Sequence, residues 1–394
     1  MIPIFLSSLF GFILIGVPVA FALFLTALVL SWFMDNWSPA LVVQTVFRGI
    51  DNFPLMAIPF FLLAGEIMNT GGIAQRIIMV AKAMFGHVRG GLGYVTVVAS
   101  MLISGVSGSA VADASAIGSL LIPWHKRLGY PPAFSAATLA AAATIDILIP
   151  PSIPMILFAL TANASIAALF VAGILPGLLM CGGFMFMCWW VGRRRNFPRD
   201  LTPIDWSVFR THLMYASPAL LLPVLIVVFL RFGIATPTEV AVLSTLYAAA
   251  VSVVVYRDLS FKRLNDAVVS AGLATGVVLL VIMASAAIGW LLTYDQMPSG
   301  VANWVTRNVS QDWIVILIMN LLMLFLGMFI DLPAAILLLT PVFLPLAQSI
   351  WHGPGAAGDH DGREPCCRPV HAPGGHHAVH HQCAGQGQGR PDGA

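Results

Sequence analysis

The sequence predicts an all-α polytopic membrane protein made of two similar halves, each with a helix that breaks inside the membrane. Three observations carry this reading. Charged residues are only 9% of the 394 residues and hydrophobic residues 59%, whereas a typical soluble domain is about a quarter charged. Apolar segments of about 17–25 residues, long enough to span a bilayer, recur along the chain. Between them lie shorter apolar stretches interrupted by serine, glycine and proline, as expected where helices break to line a site. The formal net charge is only +2, so nothing points to a nucleic-acid partner.

The elements follow in order. Pro3–Phe33 is too long for a cleaved signal peptide and reads as a first span bent at Pro18. Pro54–Met68 is short. Gly91–Leu121 is apolar but interrupted at Ser104–Ser109, and Ala133–Ile149 ends at the pair Pro150-Pro151. Ser165–Val191, Ala216–Leu230, Pro237–Tyr256, Asp266–Leu292 and Trp313–Ile330 are clear spanning candidates, and Leu332–Ile350 follows Asp331 directly. Cys181 and Cys188 sit in an apolar helix as filler. The basic loops GRRRNFPRD (Gly192–Asp200) and YRDLSFKR (Tyr256–Arg263) are separated by two spans, so both lie on one side, the cytoplasmic one. Trp206–Tyr215, with its arginine and tryptophan, is expected to lie along the interface. Glu66 and Glu239 read either as local turn stabilisers or as interfacial groups.

Asp113–Pro123 (DASAIGSLLIP) and Asp331–Pro341 (DLPAAILLLTP) each place an aspartate ten residues before a proline across an apolar run. Upstream, Ala64–Ile77 and Ala287–Val305 are both apolar helices ending in a turn that bears Gly or Pro. Two matches in the same order predict two structural repeats, residues 1–191 and 213–350, joined by a basic cytoplasmic connector, 192–212.

The stretch SGVSGSAVADASAIGSLLIP (Ser104–Pro123) puts five serines and an aspartate inside this apolar surrounding. Lipid cannot satisfy a free backbone, so such a break needs protein or water around it. Ser104, Gly105, Ser107, Gly108 and Ser109 would let a helical hairpin turn without crossing. Carbonyl and hydroxyl oxygens there are hard ligands suited to Na⁺, and the following helix points its positive dipole end at the same place. Asp113 lies one to two turns into that second arm, and an intramembrane aspartate is a functional candidate. In TIDILIPPSIPMI (Thr144–Ile156), Pro150 and Pro151 cannot continue a helix, so carbonyls near Asp146–Ile149 lose their partners. The structural alternatives are close helix packing by small residues at Ser104–Ser109, helix capping by Asp113 and Asp331, and a simple kink at Pro150-Pro151.

GVPVAFAL, FPLMAIPFFLLAGEIMNTGGIAQRI, SGVSGSAVADASAIG, IDILIPPSIPMI, LFVAGILPGLL and GIATPTEVAVLSTLYA, in order from Gly16 onward, resemble the large membrane subunit of the tripartite ATP-independent periplasmic (TRAP) transporters. The resemblance implies a multi-pass protein of the bacterial inner membrane with two inverted repeats, each with a re-entrant hairpin and a broken helix, of the elevator type. It implies Na⁺-driven import of organic acids, of the C4-dicarboxylate or sugar-acid kind, with no cofactor beyond the coupling ion. A periplasmic binding protein would deliver the substrate and a small four-helix membrane subunit would stay bound. By this resemblance Ser104, Ser107 and Ser109 form the hairpin tip, Ile149 and Pro150–Ser152 face it across a Na⁺ site, and Asp331 starts the second repeat's hairpin. A stand-alone Na⁺- or H⁺-coupled carboxylate carrier and an inactive truncated permease are the alternatives. An intramembrane aspartyl protease is disfavoured: no G-x-G-D follows Tyr294-Asp295, and Asp331 sits in FIDLP.

After Ile350 the character changes. Residues 351–394 hold seven of the ten histidines and three of the five cysteines, in a spacing that fits no closed zinc site. Read one base later, from the second base of the Trp351 codon, the tail has codon choices that encode an apolar stretch with a T-P-P break, matching Pro150-Pro151. The expectation is a frameshift near codon 350, which leaves the second repeat incomplete and residues 351–394 as an out-of-frame, disordered tail without specific metal binding.

Overall fold

The computed structural model of the chain describes residues 2–34, 39–107, 110–195, 197, 206–309 and 311–351. The expectations for Gly108, Ser109, most of the basic connector and the tail beyond residue 351 fall outside the described residues. Among the described residues all regular structure is helical.

The first expected span is two helices, α1 (Ile2–Leu14) and α2 (Val19–Phe33), which pack on each other. The chain breaks rather than bends because Gly16 takes φ +90° and Pro18 follows in extended backbone. At 1.5 Å per residue α1 reaches only about 20 Å, short of a bilayer core of about 30 Å. After α3 (Pro39–Ile50), a 3₁₀ turn at Phe53–Met56 runs into α4 (Ala57–Thr70), and together Phe53–Thr70 is 18 residues, long enough to cross. The expected segment, Pro54–Met68, is extended by Phe53 at one end and by Asn69 and Thr70 at the other. Gly72 at φ +76° leads into α5 (Ile73–Phe85).

α6 (Gly91–Ser107) and α7 (Ala110–Arg127) form a hairpin joined through Gly108 and Ser109. α8 (Pro132–Ala143) passes through a 3₁₀ turn at Thr144–Ile147, and after the prolines the chain restarts as α9 (Ile153–Thr161). α10 (Ile166–Arg194), α11 (Trp206–Arg231), α12 (Pro237–Ala250) with its π-turn at Val251–Val255, and α13 (Phe261–Tyr294) follow, then α14 (Met297–Asn308), α15 (Asp312–Gly327) and α16 (Leu332–Trp351). Five helical stretches among the described residues are long and apolar enough to cross a membrane: Phe53–Thr70, Ile166–Arg194, Phe209–Arg231, Pro237–Val255 and Phe261–Tyr294. Trp206–Tyr215 forms the first part of the continuous α11, whose Pro218 and Pro223 come later and do not end it.

One core joins α4, α5, α6, α7, α9, α10, α11, α12 and α13 around Ile58, Phe61, Ile77, Ile156 and Phe170. A second joins α1, α2, α13 and α16 around Leu9, Leu23, Leu30 and Ile288. Lipid tails are as apolar as leucine, so close packing rather than exclusion of water holds such helices together. Glycine marks the tightest approaches: a Cβ on Gly49 would stand 2.5 Å from the Ala286 Cβ. The GIATPTE motif is a local device. Thr236 accepts from the Glu239 backbone N–H (3.4 Å) and the Glu239 carboxylate accepts from the Thr236 N–H (2.7 Å), a capping box that starts α12. Outside the hairpin region, Arg76 of α5 pairs with Asp258 at 2.8 Å and lies 3.9 Å over the Tyr256 ring.

Candidate functional site

The break after α8 is built from local chemistry. The alanine-rich α8 is a strong helix former and ends where the Thr144 hydroxyl donates to the Ala141 carbonyl (2.6 Å). The backbone N–H groups of Leu148 and Ile149 both donate to the Ile145 carbonyl, at 2.9 and 3.1 Å. Pro150 and Pro151 have no N–H to continue the ladder. The Ser152 hydroxyl instead donates to the Ile147 carbonyl (2.6 Å) and accepts from the Met155 N–H (3.4 Å), closing the turn and capping α9. Ser152 is fully buried, and its hydroxyl is engaged in holding the break together.

The hairpin presses on that break. Gly105 is in the last turns of α6, where an added Cβ would stand 2.9 Å from the Pro223 side chain of α11 and 3.7 Å from the Pro150 carbonyl oxygen. Ser104 and Gly105 are therefore helical rather than part of an irregular tip, because small side chains let α6 run on between α11 and the break. α10 backs the break from the other side: a Cβ on Gly173 would collide with the Leu148 carbonyl, and one on Gly177 would stand 2.5 Å from the Ile149 side chain. This four-residue glycine spacing and Pro223 are contributions that the sequence analysis missed; the G-x-x-x-G pattern in α10 was the available signal.

Behind the break lies a buried acid pair. Asp113, in the first turn of α7, and Asp146, in the 3₁₀ turn, are both 0% exposed. The two carboxyl groups and the Ser104 hydroxyl lie close enough to act on one another electrostatically. Ser104 also donates to the Met101 carbonyl (2.9 Å). The structure thus gathers Ser104, Gly105, Asp113, Asp146, Pro150 and Ser152 at one place. Ser107 ends α6, with its side chain outside the described residues, as are Gly108 and Ser109 altogether. Asp331 does not join this group: it is exposed at the turn before α16, its carbonyl accepting from the Ala335 N–H (2.9 Å).

At the other end of the hairpin His125 is 2% exposed and bridges the Ser135 hydroxyl (2.8 Å) and the Thr96 hydroxyl (3.2 Å). It ties α7 to α8 and α6. In sequence it reads only as part of the basic WHKR run. The arrangement as a whole presents hydroxyl, carboxyl and carbonyl oxygens, the chemistry of a hard-cation site, at the meeting of a hairpin and a broken helix.

A family model described as the tripartite ATP-independent periplasmic transporter, DctM component, matches residues 6–357. A protein of Sinorhizobium fredii, itself uncharacterised, is 51% identical over 337 residues, 86% of this chain and 80% of that one. The 2,3-diketo-L-gulonate TRAP transporter large permease protein of Escherichia coli is 38% identical over 345 residues, 88% of this chain and 81% of that one. The sialic acid TRAP transporter large permease protein of Vibrio cholerae is 37% identical over 340 residues, 86% of this chain and 79% of that one.

Proposed function

The chain belongs to the DctM component family of the tripartite ATP-independent periplasmic transporters, and on that premise we propose that it couples the inward movement of Na⁺ to the import of an organic acid. It is a large permease of the inner membrane, a transporter and not an enzyme. The proposed cargo is a carboxylate that carries several hydroxyl or keto groups. Two relatives are named for 2,3-diketo-L-gulonate and sialic acid, and both compounds have that chemistry. In this reading a periplasmic binding protein hands over the acid, a small membrane subunit steadies the permease, and two inverted repeats move the site.

The observation that carries the reading is the seating of Gly105 against Pro223 and the Pro150 carbonyl, which brings a hairpin end to a helix break. Na⁺ would sit among Ser104, Ser107, Ser109 and the backbone near Ile149, with Ser152 holding those carbonyls in place. The start of α7 adds a positive dipole end for the substrate carboxylate. A cation and an anion bound together cancel much of the cost of taking either charge across a low-dielectric interior.

The test is uptake into proteoliposomes by the chain with its frame corrected after codon 350, together with both partners. At clamped membrane potential, uptake is expected to follow the inward Na⁺ gradient. Equal uptake with choline in place of Na⁺ would overturn the coupling.

A further inference from the structure

Positive charge gathers at the end of the molecule away from the break. α10 backs the break at Gly173 and Gly177 and runs on for about 25 Å. The turn between α5 and α6 seats on its last turn: a Cβ on Gly192 would stand 3.0 Å from the Gly90 Cα and 3.1 Å from the Arg89 carbonyl oxygen. Phe197, just beyond α10, packs on Tyr130 and on Phe134 of α8, with ring centroids 5.2 and 4.8 Å away. Lys82 of α5 lies 4.7 Å over the Trp124 ring of α7. Residues 82–91, 124–132 and 188–195 therefore share this end. Together they carry seven lysine and arginine side chains and no aspartate or glutamate. Arg89, Lys126, Arg127 and the three arginines that close α10 are exposed.

The side chains along α10 follow the order of a phospholipid. Phe186 and Met187 are apolar and exposed, Trp189 and Trp190 come next at 42% and 49% exposed, and Arg193 and Arg194 follow one turn later. The Phe186 and Trp189 ring centroids are 5.7 Å apart, and the Arg193 guanidinium lies 5.7 Å over the Trp189 ring. Arg194 lies 5.9 Å over the Trp190 ring. From Phe186 to Arg193 this row rises about 10 Å. Tryptophan favours the headgroup layer, which puts the guanidinium groups at the depth of the phosphates. A guanidinium resting on a ring keeps its N–H edges for a bidentate partner, and phosphate fits that fork. The C-terminal dipole end of α10 disfavours an anion, so the side chains alone supply the attraction. We propose that Trp189, Trp190, Arg193 and Arg194 form a binding surface for an anionic phospholipid, with its phosphate on the arginines and its acyl chains along Phe186 and Met187. A soluble phosphate ester has no apolar part to cover those two side chains. The proposal needs only the placement of the chain in a membrane, so binding can be measured without transport.

The experiment is quenching of tryptophan fluorescence in the purified 394-residue chain, reconstituted in phosphatidylcholine with rising mole fractions of phosphatidylglycerol brominated in its acyl chains. A parallel series uses brominated phosphatidylcholine. Half of the quenching is expected at about a twentyfold lower mole fraction of phosphatidylglycerol, the scale of two basic side chains at an anionic surface. Arg193→Gln with Arg194→Gln is expected to remove most of that preference, and Arg231→Gln, at the far end of α11, to leave it. Melting in phosphatidylcholine alone checks that the variants fold. Should the double variant not fold, Arg194→Gln decides, with an expected loss of about fivefold. Equal quenching by the two lipids, or an unchanged preference in the variant that folds, would overturn the proposal. Loss of the preference on adding soluble glycerol 3-phosphate would overturn it in favour of a free phosphate ester. An unchanged preference together with lost binding of a co-expressed small membrane subunit would assign the surface to that partner instead.

Discussion

Asp113 and Asp331 occupy the same place in their sequence pattern, ten residues before a proline in an apolar run. The first is 0% exposed and faces a second carboxyl group; the second is exposed at the turn before its helix. What differs is the opposing element. The α6–α7 hairpin packs on the 3₁₀ turn and the break, which supply Asp146 and the Pro150 carbonyl. α16 instead packs on α9, α13 and α14 and borders apolar space, including a cavity of about 410 Å³ lined by Phe158, Met323, Ile336 and Phe343. An aspartate after a turn becomes a site residue only where another segment brings oxygen atoms to it.

The sharpest way to break this comparison is to give α16 an opposing segment through the reading-frame change that the sequence suggests after residue 350. Correcting the frame after codon 350 is expected to take transport from none to measurable and to raise accumulation in the membrane, as followed by uptake and immunoblot. Comparable transport by the unmodified 394-residue chain would show that the second hairpin works without a facing broken helix. In the corrected chain, Ser107→Ala and Ser109→Ala are each expected to raise the half-saturating Na⁺ by about ten- to a hundredfold, the scale of a lost ligating hydroxyl. Unchanged Na⁺ dependence would mean that these serines serve only packing.

The α6–α7 hairpin and the α15–α16 pair also differ in tightness. Gly105→Ala places a methyl 2.9 Å from Pro223 and is expected to destabilise by about 1–3 kcal/mol, the usual range for overpacking. Gly327, at the end of α15, has nothing within 4 Å of an added Cβ, so Gly327→Ala is expected to stay within about 0.5 kcal/mol. Melting of the two variants in detergent compares them directly. One modest effect belongs to neither hairpin: Thr236→Ala removes the cap of α12 and is expected to cost about 1 kcal/mol while leaving the Na⁺ half-saturation unchanged.

The break at Pro150-Pro151 and the hairpin at Ser104–Ser109 were legible because proline lacks an N–H and small polar residues are costly in lipid without a purpose. Asp113 and Asp146 were legible as single candidates. Their meeting was not, because it depends on how α7 lies across the 3₁₀ turn. The break between α1 and α2 turned on the conformation of Gly16, which composition does not show. The continuity of α11 through Trp206–Tyr215 was hidden by interfacial residue types that sit equally well at the end of a long helix. The cap by Glu239 was one of two readings open in the sequence, and the geometry of Thr236 selects it.

The most direct measurement is hydrogen exchange of the solubilised 394-residue chain with Na⁺ and with choline. The expected result is Na⁺-dependent protection of peptides covering Ser104–Arg127 and Thr144–Met155, with peptides from Asp312–Trp351 unchanged. Equal protection in both hairpins, or protection confined to α15 and α16, would contradict the assignment of the ion site to the first hairpin and its facing break.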